Sequence, residues 1–167
     1  MNFKFISKIC SVFAKQPSLQ ITIRELSKQA KLSYNATHRT VQHMLKEELL
    51  TQQKYGNVCV VSIKKTAKMV SLLAYAAYEE SKDFKNKIEY QETILPKGIL
   101  SILGEKKELI AISEVRNTDT IHLQNKELKL ITIQELLAAL SNGKIKLKEL
   151  KILQGAEWLF EKMISTT

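Results

Sequence analysis

Residues 32–63 read LSYNATHRTVQHMLKEELLTQQKYGNVCVVSI. Two periods meet in this stretch. Ser33 stands ahead of a helix running to about Leu49, where its hydroxyl can accept a free backbone N–H of the first turn. Ala36, Thr37, Val41, Met44 and Leu45 recur at helical spacing and give that helix an inner stripe. Tyr34, Asn35, His38, Arg39, Gln42 and Lys46 fall elsewhere on its circumference. That outer face is rich in hydrogen-bonding groups and holds no carboxylate before Glu47. Leu49 to Lys54 and Val58 to Ile63 then read as two strands around a Tyr55-Gly56-Asn57 turn.

Upstream, Phe5, Ile6, Ile9, Val12 and Phe13 repeat at helical spacing, and Gln16-Pro17-Ser18 stops that helix. Leu19 to Thr22 is a short extended piece. Thr22 and Glu25 have the spacing of a capping box, in which hydroxyl and carboxylate each take a free N–H. Ile23, Leu26 and Ala30 face one way on the helix that follows, and Leu32 closes its turn.

Helix, short strand, helix, turn, helix and ribbon follow one another in the order of the winged helix-turn-helix family, which residues 1–65 resemble. Leu32, Ser33, Arg39, Val41, Met44, Leu49 and Leu50 stand in places matching that family's pattern, and Ala36-Thr37 occupy its usual Thr-Val pair. Glu48 replaces the glycine that usually ends the second helix, which points to a less strained helix end. The resemblance implies that this helix enters the major groove of double-stranded DNA with its N-terminal half near base edges. It implies roles for ten residues of the helix, its cap and the wing, and for two lysines just beyond. Arg39 would read guanine, and Asn35 and Gln42 would pair with adenine. Tyr34 and His38 would contact bases, thymine methyls or phosphates, and Ser33 a phosphate at the helix start. Lys46 completes the helix face, while Lys54, Tyr55 and Asn57 on the wing would meet backbone or minor groove. Lys64 and Lys65 would add phosphate contacts. An arginine on a helix often pairs with a carboxylate one turn away. Arg39 has Asn35 before it and Gln42 and His43 after, so its own helix offers none.

The charge is uneven in the same direction. Residues 1–65 hold 11 Lys and Arg against 3 Glu and no Asp, whereas residues 66–167 hold 15 against 14. A localised positive field attracts polyanions, nucleic acid or an anionic surface among them. Apolar residues make up 44% of the 167, enough for a core and too many for a disordered chain. No apolar run approaches the roughly 18–20 residues of a membrane span. Lys4, Lys8 and Lys15 interrupt the signal-like start, so a cytoplasmic protein without a membrane partner is expected. Cys10 and Cys59 have no metal-ligand spacing. His38 and His43, five apart, lie on different helix faces, and His122 stands alone. No metal and no cofactor is expected.

Thr66 to Lys87 reads as a helix of roughly five to six turns. Met69, Val70, Leu72, Leu73, Ala76 and Ala77 make it apolar on more than one face. Two roles fit it equally: pairing with a second copy in a homodimer, or docking on the second domain of its own chain.

Beyond a boundary at Ile94-Leu95-Pro96-Lys97-Gly98, four extended pieces begin at Ile99, Leu109, Thr120 and Leu128. Thr132 and Glu135 repeat the capping-box spacing before a helix that Asn142-Gly143 ends. LKILQG reads as a further strand and AEWLFEKMI as a last helix, with Trp158 and Phe160 in the core and Gly155 at a turn. Strands mixed with helices indicate a small α+β or α/β unit. The stretch LKLITIQELLAAL…LKILQGAEWLFEKMI resembles the closing part of small nucleotidyltransferase-like domains. That family's catalysis needs a Gly-Ser turn and closely placed Asp residues holding metal ions. This chain has only Asp83 and Asp119, so the resemblance implies a degenerate, non-catalytic relative. ELIAISEVRNTDTIHL is similar to the acid-and-base strand of restriction-like nucleases. Glu114 and Arg116 stand there, and arginine cannot take the lysine's role.

The expected fold class is therefore α+β, with a winged helix-turn-helix domain at 1–65, a connecting or dimerisation helix at 66–90 and a small α/β domain at 91–167. The expected function is sequence-specific DNA binding by a transcriptional regulator whose C-terminal part dimerises, senses an effector or docks a protein partner. No catalytic residue is assigned. The competing readings are a nucleic-acid-directed enzyme using the C-terminal domain, and a winged helix that docks proteins.

Overall fold

A computed structural model describes residues 2–90, 95, 99–105, 108–113, 121–123 and 126–166. The fold is α+β and divides into two compact units, residues 1–76 with 160–167, and residues 77–159.

In the first unit, α1 spans Phe3–Lys15, β1 Ile21–Thr22, α2 Ile23–Gln29, α3 Tyr34–Lys46, β2 Leu50–Tyr55 and β3 Val58–Ile63. Asn2 caps α1, its Oδ1 accepting from Lys4 N at 3.1 Å. The apolar positions at helical spacing on α1 become the wall of a core, with Ile6, Ile9, Cys10 and Phe13 buried beside Leu26, Val41, Met44, Leu50 and Val61. Burying each large apolar side chain contributes about 1.5–3 kcal/mol. Helix α3 packs on both α1 and α2. Strands pair in the order β1-β3-β2, all antiparallel.

Helix α3 buries Thr37, Thr40, Val41 and Met44, while Ala36 and Leu45 are only half-buried. Thr40 is the departure from the expected stripe. Its hydroxyl donates to the Ala36 carbonyl at 2.8 Å, which satisfies the polar atom inside the helix and lets the methyl join the core.

The ends of α2 and α3 differ from expectation in one shared way. Glu48 has φ +56° and Lys31 has φ +53°. Leu49 N–H donates to the Met44 carbonyl at 2.8 Å and Glu48 N–H to that of Leu45 at 3.1 Å, and Leu32 and Lys31 close α2 by the same pattern. This closure requires a left-handed residue, for which glycine is the usual choice. Glu48 therefore makes the end of α3 more strained than a glycine would, not less. At the start of α2, Thr22 Oγ1 accepts from Glu25 N at 3.2 Å, and the Glu25 carboxylate lies 3.5 Å from Lys28. The ribbon strand β2 runs one residue further than expected. Tyr55 pairs with Val58, leaving Gly56 and Asn57 as a two-residue turn with positive φ at Gly56, the position where a type II′ turn calls for glycine.

Helix α4, Ala67–Lys87, is unbroken. The boundary between units falls within it, not before it, and residues 160–167 belong with the first unit. The division expected from sequence lay at 65 and 90. The apolar positions of α4 continue past Ala76 with no Gly or Pro to interrupt them.

The second unit holds a five-stranded sheet: β4 Ile99–Glu105, β5 Glu108–Ser113, β6 Ile121–Leu123, β7 Lys126–Thr132 and β8 Lys151–Gln154, ordered β6-β7-β5-β4-β8. Only β5 and β7 run parallel among these pairs. Helix α5, Ile133–Ser141, follows β7 with both halves of its capping box made between Thr132 and Glu135. Helix α6 spans Ala156–Thr166. Ile102, Leu109, Ala111, Leu128 and Leu153 form one core with Ile99 and Tyr90, and Phe84 and Ile88 of α4 pack on it. Glu114, Arg116 and Asp119 lie outside the described residues.

Candidate nucleic-acid interface

The ten residues singled out by sequence fall on two surfaces of the first unit. Ser33 to Lys46 belong to α3 and its cap, and Lys54, Tyr55 and Asn57 to the ribbon. Packing of Thr37, Val41 and Met44 into the core fixes which side of α3 faces outward. Tyr34, Asn35, His38, Arg39, Gln42 and Lys46 then occupy an arc of about 140° at 100° per residue. Gln42 is half-buried and the other five are exposed.

Ser33 Oγ accepts from Ala36 N at 3.3 Å, so it is the cap of α3 and keeps its own O–H as a donor. The Tyr34 and His38 rings lie tilted to one another, centroids 6.0 Å apart. Tyr34 is 52% exposed. On the ribbon, Lys54, Gly56 and Asn57 are exposed. Tyr55 is 56% exposed, and its hydroxyl donates to Gln53 Oε1 at 2.7 Å. Val58, opposite Tyr55, is also half exposed. No sequence signal distinguished Val58 from the other strand residues.

The two carboxylates that end α3 are matched by lysines. Glu47 lies 2.7 Å from Lys68 and Glu48 3.1 Å from Lys64. Lys64, expected to add a phosphate contact, is thus partnered within the unit. The Lys68 hydrogen bond, then its charge, then that of His43 hold the Glu47 carboxyl below the usual carboxylate range. Burial pushes the Cys10 thiol up to about 12, which makes it an inert core group.

One grouping had no counterpart in the sequence. A cleft of about 610 Å³ opens between the start of α1 and the outer side of α3. Asn2 and Phe5 form one wall; Ser33, Asn35, Ala36, Arg39, Thr40 and His43 form the other. Arg39 and Asn35 thus belong both to the outward arc of α3 and to this cleft.

Among the described residues no group of three or more His, Cys, Asp or Glu is placed to hold a metal ion. No described helix is long and apolar enough to cross a membrane. No protein-family model, no curated protein and no solved structure matches the chain.

Proposed function

We propose that the protein binds double-stranded DNA with sequence preference and acts as a transcriptional regulator in the cytoplasm. In this reading the first unit is a winged helix-turn-helix, with α3 as the reading helix and β2–β3 as the wing. The observation that carries it is the outward arc of α3. Its polar and basic side chains have no carboxylate among them, and the acids that follow are matched by Lys64 and Lys68.

A helix fits the major groove, whose edges present distinguishable donor and acceptor patterns. Arg39 would pair with guanine, and Asn35 and Gln42 with adenine. Tyr34 and His38 would contact bases or thymine methyls. Ser33, Lys46 and Lys54 would hold phosphates, and Tyr55 and Asn57 would lie along backbone or minor groove. Basic side chains release counterions from phosphates, and the few polar ones discriminate sequence. The second unit would act without catalysis, in dimerisation or sensing. Phe3 and Tyr75, an exposed edge-to-face pair with centroids 5.3 Å apart, offer an apolar contact for a homodimer.

Fluorescence anisotropy of a labelled duplex at several salt concentrations tests the reading. Affinity should fall steeply as salt rises, by about 0.9 log units per log unit of salt for each phosphate contact. Absence of binding at low salt would contradict it and favour a protein-docking role for the same surface.

A further inference from the structure

The cleft between α1 and α3 has a chemistry of its own. Arg39, His43, Asn2 and Asn35 bring N–H donors to it, Ser33 brings a hydroxyl, and among the described residues no carboxylate lines it. The acid nearest in effect, Glu47, is engaged by Lys68. Phe5 adds an apolar wall and is half-buried. At about 610 Å³ the space is far larger than one phosphate and suits a nucleotide-sized group. Donors facing an apolar wall match sugar–phosphate backbone, whose phosphodiester is anionic and whose deoxyribose is largely apolar. The cleft is also continuous with the arc of α3 through Asn35 and Arg39. A duplex that admits α3 to its major groove carries a strand along the flank of that helix.

We infer that the cleft seats this flanking strand. Asn2 and His43 donate to a phosphate, Phe5 packs on deoxyribose, and Arg39 stands where the cleft meets the groove. The inference rests on the DNA-binding reading of α3 and extends it: the first turn of α1 joins the interface, and Asn2 and His43 position the duplex without reading its sequence.

Asn2→Asp tests this without removing the helix cap, because Asp and Asn cap equally well. It introduces a negative charge into the cleft. Gln134→Glu makes the same charge change at an exposed position of the second unit and serves as the control. The probe is a fluorescein-labelled duplex of mixed sequence. Asn2→Asp should bind it about tenfold more weakly than Gln134→Glu does, a loss between that of a close charge repulsion in bulk water and that of one at a protein surface. His43→Ala should weaken binding severalfold, and both losses should be the same on every duplex sequence tested. A wild type that binds while Asn2→Asp and Gln134→Glu behave alike overturns this inference alone. A wild type that fails to bind at low salt overturns the DNA reading and this inference together.

Discussion

Lys68 Nζ lies 2.7 Å from Glu47 Oε2, joining the first turn of α4 to the end of α3. The contact reaches across 21 residues of chain and spans the whole ribbon. Beside it, Lys64 lies 3.1 Å from Glu48. A helix that meets phosphates is disadvantaged by two successive carboxylates at its end, and these two lysines offset both. Each pair is exposed, so its contribution to folding is small; its larger consequence is the local charge of the α3 surface.

The Glu47 carboxyl should titrate below the ordinary carboxylate range. Its folded value is lowered, chiefly by the hydrogen bond from Lys68. The contribution of the pair is therefore complete above the unfolded carboxylate value and is lost as pH falls through the lowered folded one. An NMR titration of the Glu47 side chain in wild type and Lys68→Ala checks this. The midpoint should rise in the variant, and an unchanged midpoint would contradict the assignment.

Lys31→Gly should stabilise the protein. Lys31 holds φ +53° in the turn between α2 and α3 and is exposed. A left-handed residue with a Cβ costs about 1–2 kcal/mol, and the added freedom of glycine in the unfolded chain takes back about 0.4–1 kcal/mol. A net gain of roughly 0.5–1 kcal/mol in urea unfolding is expected. A loss of stability would show that the Lys31 side chain makes a compensating contribution.

Gly155→Ala should destabilise the second unit. Gly155 has φ +73°, and the carbonyl of Leu100 and the Cα of Ser101 occupy the space a Cβ would need. The neighbouring Ser101 hydroxyl donates to the Gln154 carbonyl at 2.8 Å and holds β4 in place there. Backbone strain and overpacking together should cost roughly 2–4 kcal/mol. Differential scanning calorimetry should register it as a lower Tm, and an unchanged Tm would mean that β4 yields freely at Leu100.

The parts of the molecule legible in the sequence are those set by neighbours along the chain. The caps at Ser33 and Thr132, the turn at Gly56 and the strands starting at Ile99 and Leu109 depend on residues a few positions apart. The missed features depend on distant ones or on side-chain detail. Thr40 reads as polar, but a hydroxyl bonded to Ala36 one turn back is no obstacle to burial. Glu48 reads as relief from a glycine turn, yet the hydrogen bonds of Leu49 and Glu48 impose the left-handed conformation whichever residue stands there. Residues 160–167 join the first unit through folding over a long sequence separation. The cleft likewise brings Asn2 and Phe5 beside Arg39 and His43, and no periodicity within one helix can announce a wall shared by two.

The central claim is that α3 reads DNA through its outward arc, and Arg39 is its most discriminating member. The direct measurement is the affinity of wild type and Arg39→Ala for a panel of labelled duplexes, each titrated at low and moderate salt. Wild type should bind all of them in a salt-dependent way and prefer some. Arg39→Ala should lose about 1–3 kcal/mol on the preferred duplexes, the value of one good bidentate base contact, and should bind the panel more evenly. Equal binding by the two proteins, or no binding by wild type at low salt, would contradict the claim.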